Sequence, residues 1–247
     1  MSVQVKFNFE KKNFFVTGAS SGMGKKIVQE LAESGAVVLA IARNEERLQV
    51  IKQEWPEQVV PIAVSDLKDM ETVTEAVNSF VQKYGKFTGI VHAAGIDGFT
   101  PIKTYDDDLA AQIMDISFWS GMRLVRLLQK KKYTEDGASF VLFSSIAAKT
   151  GESAMFAYSA AKAAVSTAVK TLAKEICKRR LRINAVLPGR VHTPMTAAGG
   201  DPNMEARHLL GVGEPEDVSG VVMFLLSDRS QWITGTDIVV DGGYLAN

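Results

Sequence analysis

Short apolar runs alternate with helix-length segments along nearly the whole chain, and that alternation restricts the fold more than any single motif. Residues 13–16, 36–42, 59–64, 89–92, 139–144 and 182–187 read as strands, and several are continuous enough in apolar side chains to be buried on both faces. Residues 25–34, 70–84, 106–131 and the Ala-rich stretch from Glu152 carry helical patterning. From Pro215 a further helix leads to a last strand around 237–240. Strands separated by helices of ten or more residues imply a parallel sheet with helices on both faces, so the expected class is α/β in three layers. Crossovers should be right-handed, and ligands should lie at the carboxyl ends of the strands.

A chain of 247 residues can bury a sizeable core, and no stretch has the composition of a linker, so one domain spanning 1–247 is expected. Lys and Arg number 28, as do Asp and Glu, and this balance argues against a nucleic-acid or membrane-surface role. Cys177 is the only cysteine, which excludes an intrachain disulfide and a cysteine-rich metal site. His92, His192 and His208 show no ligand spacing, so no metal is expected. The first residues lack the long apolar core of a secretory signal, and no run of 18 apolar residues occurs. A cytoplasmic protein is expected.

The residues able to carry chemistry sit where strands end. After the first strand comes Thr17-Gly-Ala-Ser-Ser-Gly-Met-Gly24, with Gly18, Gly22 and Gly24 in a strand-to-helix turn. Such a turn lets a pyrophosphate approach the amides at a helix amino end. The second strand ends Ile41-Ala42-Arg43-Asn44, with no carboxylate placed for a ribose 2′-hydroxyl. Arg43 is suited instead to a 2′-phosphate, which favours NADP(H) over NAD(H). Asp66-Leu67, Ala93-Ala94-Gly95 and Pro188-Gly189 follow the third, fourth and sixth strands.

The fifth strand delivers Ser144 and Ser145, and the helix after it sets Tyr158 and Lys162 four residues apart, on one face. A free phenol titrates near ~10, too high for acid–base work at neutral pH. A neighbouring ammonium should lower it, while Ser145 hydrogen-bonds the same substrate oxygen. The trio is suited to moving a proton on or off a carbonyl or alcohol oxygen.

With these residues in view, the chain resembles the short-chain dehydrogenase/reductase family over essentially its whole length, especially its 3-oxoacyl-[acyl-carrier-protein] reductase-like members. The carrying motifs are T-G-A-S-S-G-M-G from Thr17, D-L at Asp66, H-A-A-G from His92, S-S at Ser144, Y-S-A-A-K from Tyr158, N-A-V-L-P-G from Asn184 and T-G-T-D-I-V-V-D-G-G from Thr234. The resemblance implies a Rossmann-type doubly wound sheet, with a dinucleotide-binding half over about 1–135 and a catalytic and substrate-binding half over about 136–247. It implies Ser145, Tyr158 and Lys162 as the catalytic trio. Cofactor contacts would come from Gly18, Ser20, Ser21, Gly22, Met23, Gly24, Arg43, Asp66, Leu67, Ala93, Ala94, Gly95, Tyr158, Lys162, Pro188, Gly189, Val191 and Thr193. Asp66 would meet the adenine, Lys162 the nicotinamide ribose, and Val191 and Thr193 the carboxamide. A homotetramer or homodimer is the implied assembly.

Two positions depart from the family pattern. His92 stands where the family commonly has Asn, a structural exchange. Ser117 stands where the family usually has the Asn that supports a proton relay to Lys162, so Ser117 joins the catalytic candidates. That exchange also motivates an alternative reading, a nucleotide-binding sensor or binding protein with reduced catalysis. Residues 195–210 read as a mobile lid, and Arg190 and His192 border the site, either facing an acidic substrate or lying on the surface. An acyl thioester, a sugar or polyol, and a cyclic ketone all remain open as the small-molecule carbonyl or alcohol substrate.

Overall fold

The structure, a computed structural model, describes residues 5–197 and 205–246. Seven parallel strands form one sheet in the order β3-β2-β1-β4-β5-β6-β7. The strands are β1 (Asn13–Thr17), β2 (Val37–Ala42), β3 (Val59–Ala63), β4 (Phe87–His92), β5 (Thr134–Phe143), β6 (Arg182–Pro188) and β7 (Asp237–Val240). The helices are α1 (Gly22–Glu33), α2 (Glu45–Glu54), α3 (Met70–Tyr84), α4 (Asp107–Met114), α5 (Ser120–Leu128), α6 (Ala147–Thr150), α7 (Phe156–Ile176) and α8 (Pro215–Leu226). The doubly wound α/β sheet expected from the sequence is therefore present. Strand order reverses between β1 and β4, and at such a switch point the loops diverge and leave a crevice.

Alternate side chains of each strand enter opposite cores. Phe14, Val16, Val38, Ala40 and Val91 pack with Ile27 and Leu31 of α1, Leu48 of α2 and Val222 of α8. Phe15, Leu39, Ile41, Ile90 and Phe140 pack with Val77 of α3, Leu124 of α5 and Val165 and Val169 of α7. Both faces are covered, which is why these strands read as continuous apolar runs. Burying each such side chain stabilises the fold by roughly 1.5–3 kcal/mol.

Three elements differ most from the sequence expectation. Helix α2 was not anticipated; its polar sequence EERLQVIKQE buries only Leu48 and Ile51, and the Asn44 side chain caps it by accepting from Arg47 N. The single helix expected over 106–131 is two α-helices joined by a π-helical turn, Asp115–Trp119, which carries Ser117. Strand β5 begins at Thr134, so Asp136-Gly137 lies within it, Gly137 has φ 86, and the register with β4 shifts between Phe87 and Gly89. An Asp-Gly pair looks like a strand boundary, but here it is an irregularity inside one. The expected lid over 195–210 lies partly outside the described residues.

Candidate active site

The β1–α1 turn is shaped by close backbone approach. A Cβ on Gly24 would lie 2.2 Å from Gly18 O, and one on Gly18, at φ +69, would lie 2.8 Å from Ala94 N. Any larger residue at either place would have to displace main chain. The Ser21 side chain makes no capping bond, so it leaves the leading amides of α1 without a side-chain acceptor. Those amides face a cleft of about 640 Å³ lined by the turn, by Arg43 and Arg47, by Asp66 and Leu67, by Ala93 to Ile96, and by Thr193 to Met195. Gly22 meets the Thr193 side chain at 3.1 Å, which brings the β6 loop against the turn. The cleft has the size, the free helix terminus and the absence of Cβ atoms that an extended dinucleotide requires.

A second pocket of about 90 Å³ holds Ser145, Tyr158 and Lys162 with Pro188, Gly189 and Val191, and it shares Met23, Ala93, Gly95, Thr193 and Met195 with the larger cleft. Every cofactor-contact candidate named from the sequence lines one of these two spaces. Ser117 lines neither. It is buried one residue beyond Ile116, which does line the cleft.

The strand end fixes the trio. Ser144 also lines the pocket, but its hydroxyl is engaged, donating to Lys162 O at 2.7 Å and meeting Ser166 Oγ at 3.0 Å, so it fastens α7 to β5. Ser145 Oγ accepts from Ala147 N at 3.2 Å and lies near enough to Tyr158 to act on its phenol. The Lys162 ammonium is buried, donates to Phe143 O at 2.9 Å and lies 5.6 Å from the centre of the Tyr158 ring.

Here one expectation is overturned. Tyr158 keeps part of its surface open to the pocket, yet desolvation pushes its phenol up to about 12, against the lowering effect of the Ser145 hydroxyl. Desolvation also brings Lys162 down to about 8. The nearby Asp97 carboxylate raises both. Loss of hydration is the largest cause, so the phenol is held protonated.

Ser117 Oγ donates to Ile96 O at 3.1 Å and accepts from Ile96 N at 3.3 Å, so it ties the π-helical turn to the loop after β4. A Cβ on Gly95 would lie 3.3 Å from Lys162 Nζ and 3.5 Å from Ser117 Oγ, so only this glycine separates the two groups. His92 is buried beside them. Ser120 Oγ spends its one proton on Ile116 O at 2.6 Å, so its 3.0 Å contact with His92 Nε2 requires that nitrogen to donate. Nδ1 then accepts from Thr17 Oγ1 at 2.8 Å. Burial first, and the Lys162 charge second, push the imidazole down to about 3, so it stays neutral.

Arg190, expected at the border, bonds Glu205 at 3.1 Å and Thr196 O at 3.0 Å. His192 Nε2 lies 3.9 Å from Glu214. Sequence reasoning missed Arg47, which follows Arg43 by four residues at the start of the unanticipated α2. It also missed Asp97, which nothing but its place two residues after Gly95 marks. Among the described residues no group of three or more His, Cys, Asp or Glu is placed to hold a metal, and no helix is long and apolar enough to cross a membrane.

Comparison with known proteins agrees with this geometry. A family model described as enoyl-(acyl carrier protein) reductase matches residues 18–245. The 3-oxoacyl-[acyl-carrier-protein] reductase FabG of Thermotoga maritima is 33% identical over 241 residues, covering 95% of this chain and 98% of the relative. A 3alpha-hydroxysteroid dehydrogenase of Mediterraneibacter gnavus is 30% identical, covering 94% and 96%. Among solved structures, a dehydrogenase/reductase from Sinorhizobium meliloti 1021 superposes with a TM-score of 0.90 at 29% identity, covering 97% of each chain. The chain belongs to the short-chain dehydrogenase/reductase family of nicotinamide-dependent oxidoreductases, with FabG-like reductases among its relatives.

Proposed function

We propose that the protein is an NADP(H)-dependent oxidoreductase that interconverts a ketone and a secondary alcohol, with Tyr158 as general acid and base. One observation carries this reading: Tyr158, Ser145 and Lys162 together line a small pocket that shares five residues with the dinucleotide-sized cleft. A nicotinamide cofactor held in the cleft would supply the hydride. Ser145 holds the carbonyl oxygen by a hydrogen bond, and Tyr158 delivers its proton to that oxygen as negative charge develops there. The buried ammonium of Lys162 stabilises the phenolate left behind. Ser117 and the π-helical turn keep Gly95 and Lys162 in register for proton return. In the reverse direction Tyr158 takes the alcohol proton.

NADPH is favoured because Arg43 and Arg47 both line the cleft at the end of β2, and neither forms a salt bridge among the described residues. A 2′-phosphate would meet two guanidinium groups there. The names of the relatives bring a 3-oxoacyl thioester to this site as one candidate ketone. The bonds of buried Ser117 to the loop beside Lys162 support the enzyme reading over a sensor with reduced catalysis. We place the protein in the reducing cytoplasm on its single, free and exposed Cys177. We also infer a homodimer or homotetramer, because Trp119 and Trp232 stand exposed at the surface.

The test is NADPH oxidation with a panel of ketones that includes a 3-oxoacyl thioester, repeated with NADH. Turnover with NADPH preferred is expected, and NADH clearly outperforming NADPH would overturn the role given to Arg43 and Arg47.

A further inference from the structure

The loop between β4 and α4 is anchored to the site at both ends. At its start, Gly95 lies against Lys162 and Ile96 is bonded to Ser117, so the next residue, Asp97, lies close enough for its charge to act on Tyr158 and Lys162. Farther along, Thr100 N donates to Ala154 O at 2.6 Å and Thr100 Oγ1 accepts from Ala157 N at 3.4 Å. Those bonds fasten the loop to the turn that immediately precedes Tyr158. They also fix where its large side chains stand.

Phe99 is 70% exposed and Ile102 76% exposed, on either side of the fastened Thr100. Tyr105 sets its ring edge-on to Phe156 at 4.9 Å, and both are partly open to solvent. Met195, shared by the two pockets, is exposed across the opening. Phe99, Ile102, Tyr105 and Phe156 line neither pocket, but all four stand exposed on or against a loop fastened to the turn before Tyr158, and large apolar side chains exposed so close to a site mark a surface that a ligand can cover.

Charge narrows what that ligand can be. From Asp97 to Asp108 the loop and the first turn of α4 carry four Asp, at 97, 106, 107 and 108, against one Lys, at 103. Across the opening, the Arg190 guanidinium sits beside Glu205, and the His192 side chain lies near Glu214. A phosphate-bearing substrate would approach an acidic loop, and like charges brought together reject a partner more sharply than missing contacts do.

We propose that the substrate is an uncharged ketone borne on a bulky apolar body, and that Asp97 and the acidic loop behind it discriminate against phosphate-bearing thioesters. This rests on the reductase reading and gives that site its substrate class. The wall formed by Phe99, Ile102 and the Tyr105–Phe156 pair takes the apolar body, while Asp97 sets the sign of charge tolerated next to the reacting oxygen.

The experiment uses the full chain with NADPH and three probes: 1-decalone, acetoacetyl-N-acetylcysteamine and acetoacetyl-coenzyme A. The last two present the same ketone without and with phosphates. Expected is a kcat/KM for the neutral thioester about tenfold above that of the coenzyme A ester at low salt, the effect of roughly one screened charge contact. Asp97→Asn should narrow that ratio about fivefold, and Phe99→Ser should raise KM for decalone with kcat retained. Calorimetry of decalone with the protein–NADP+ complex supplies a binding readout independent of turnover. Equal or faster reduction of the coenzyme A ester overturns the proposal while leaving the reductase reading intact. So does failure of decalone to bind when the thioesters are reduced. Decalone binding without reduction of any probe sinks the reductase reading and leaves the binding preference standing, whereas neither binding nor turnover refutes both.

Discussion

The inner wall of the site and the outer end of its cleft handle charge in opposite ways. Lys162 and His92 are buried at the carboxyl ends of β4 and β5, and desolvation moves both down, to about 8 and about 3. Tyr158 beside them is pushed up to about 12. At the outer end Arg43, Arg47 and Asp66 stand exposed at the ends of β2 and β3, where water screens them. The inner wall therefore sets protonation state and the outer end sets which nucleotide is preferred. Substitutions inside should change rate by orders of magnitude, and those outside should change selectivity modestly.

The largest break in that contrast is expected from Lys162→Met, which removes the ammonium behind the phenol and the hydrogen bond to Phe143 O; kcat should fall about 10²–10⁴-fold in stopped-flow reduction assays. Gly24→Ala comes next. Its methyl group would sit 2.2 Å from Gly18 O, so the turn must open, and NADPH affinity by fluorescence titration should drop at least about tenfold with a lower Tm. Arg43→Ala and Arg47→Ala should each raise KM for NADPH about three- to tenfold and leave KM for NADH almost unchanged. An equal effect on both nucleotides would dissolve the contrast.

The smallest effect is one of pH. His92 titrates near 3 when folded against an ordinary 6.5, so between those values the unfolded chain binds more protons than the native one. Its contribution is complete above pH 6.5 and is lost as pH falls towards 3. The stability of His92→Asn, followed by urea denaturation, should therefore decline less over that interval than the natural chain's. Parallel declines would mean that the imidazole is already protonated in the fold.

What the sequence made legible follows the same division. The sheet, its core and the glycine turn announce themselves through continuous apolar runs and spaced glycines, because burial on both faces and close backbone approach leave few residue choices. Helix α2 stayed hidden because its exposed face is polar and only two of its residues are buried, and Arg47 was hidden with it. The π-helical turn could not be read from 106–131, since one extra residue per turn leaves the apolar period almost unchanged. The direction of the Tyr158 shift was misjudged for a different reason. Helical spacing reveals that an ammonium is near, whereas the extent of desolvation depends on what the rest of the chain packs around it.

The most direct test of the account is to measure NADPH affinity and ketone turnover together in Tyr158→Phe. The substitution removes only the hydroxyl from a ring that stays packed against the cluster of Ile113, Ala157 and Ala161. The account predicts NADPH binding within about twofold of the natural chain and turnover reduced about 10²–10⁴-fold. Binding and turnover falling by the same factor would contradict it, because Tyr158 would then be holding the nucleotide instead of moving the proton.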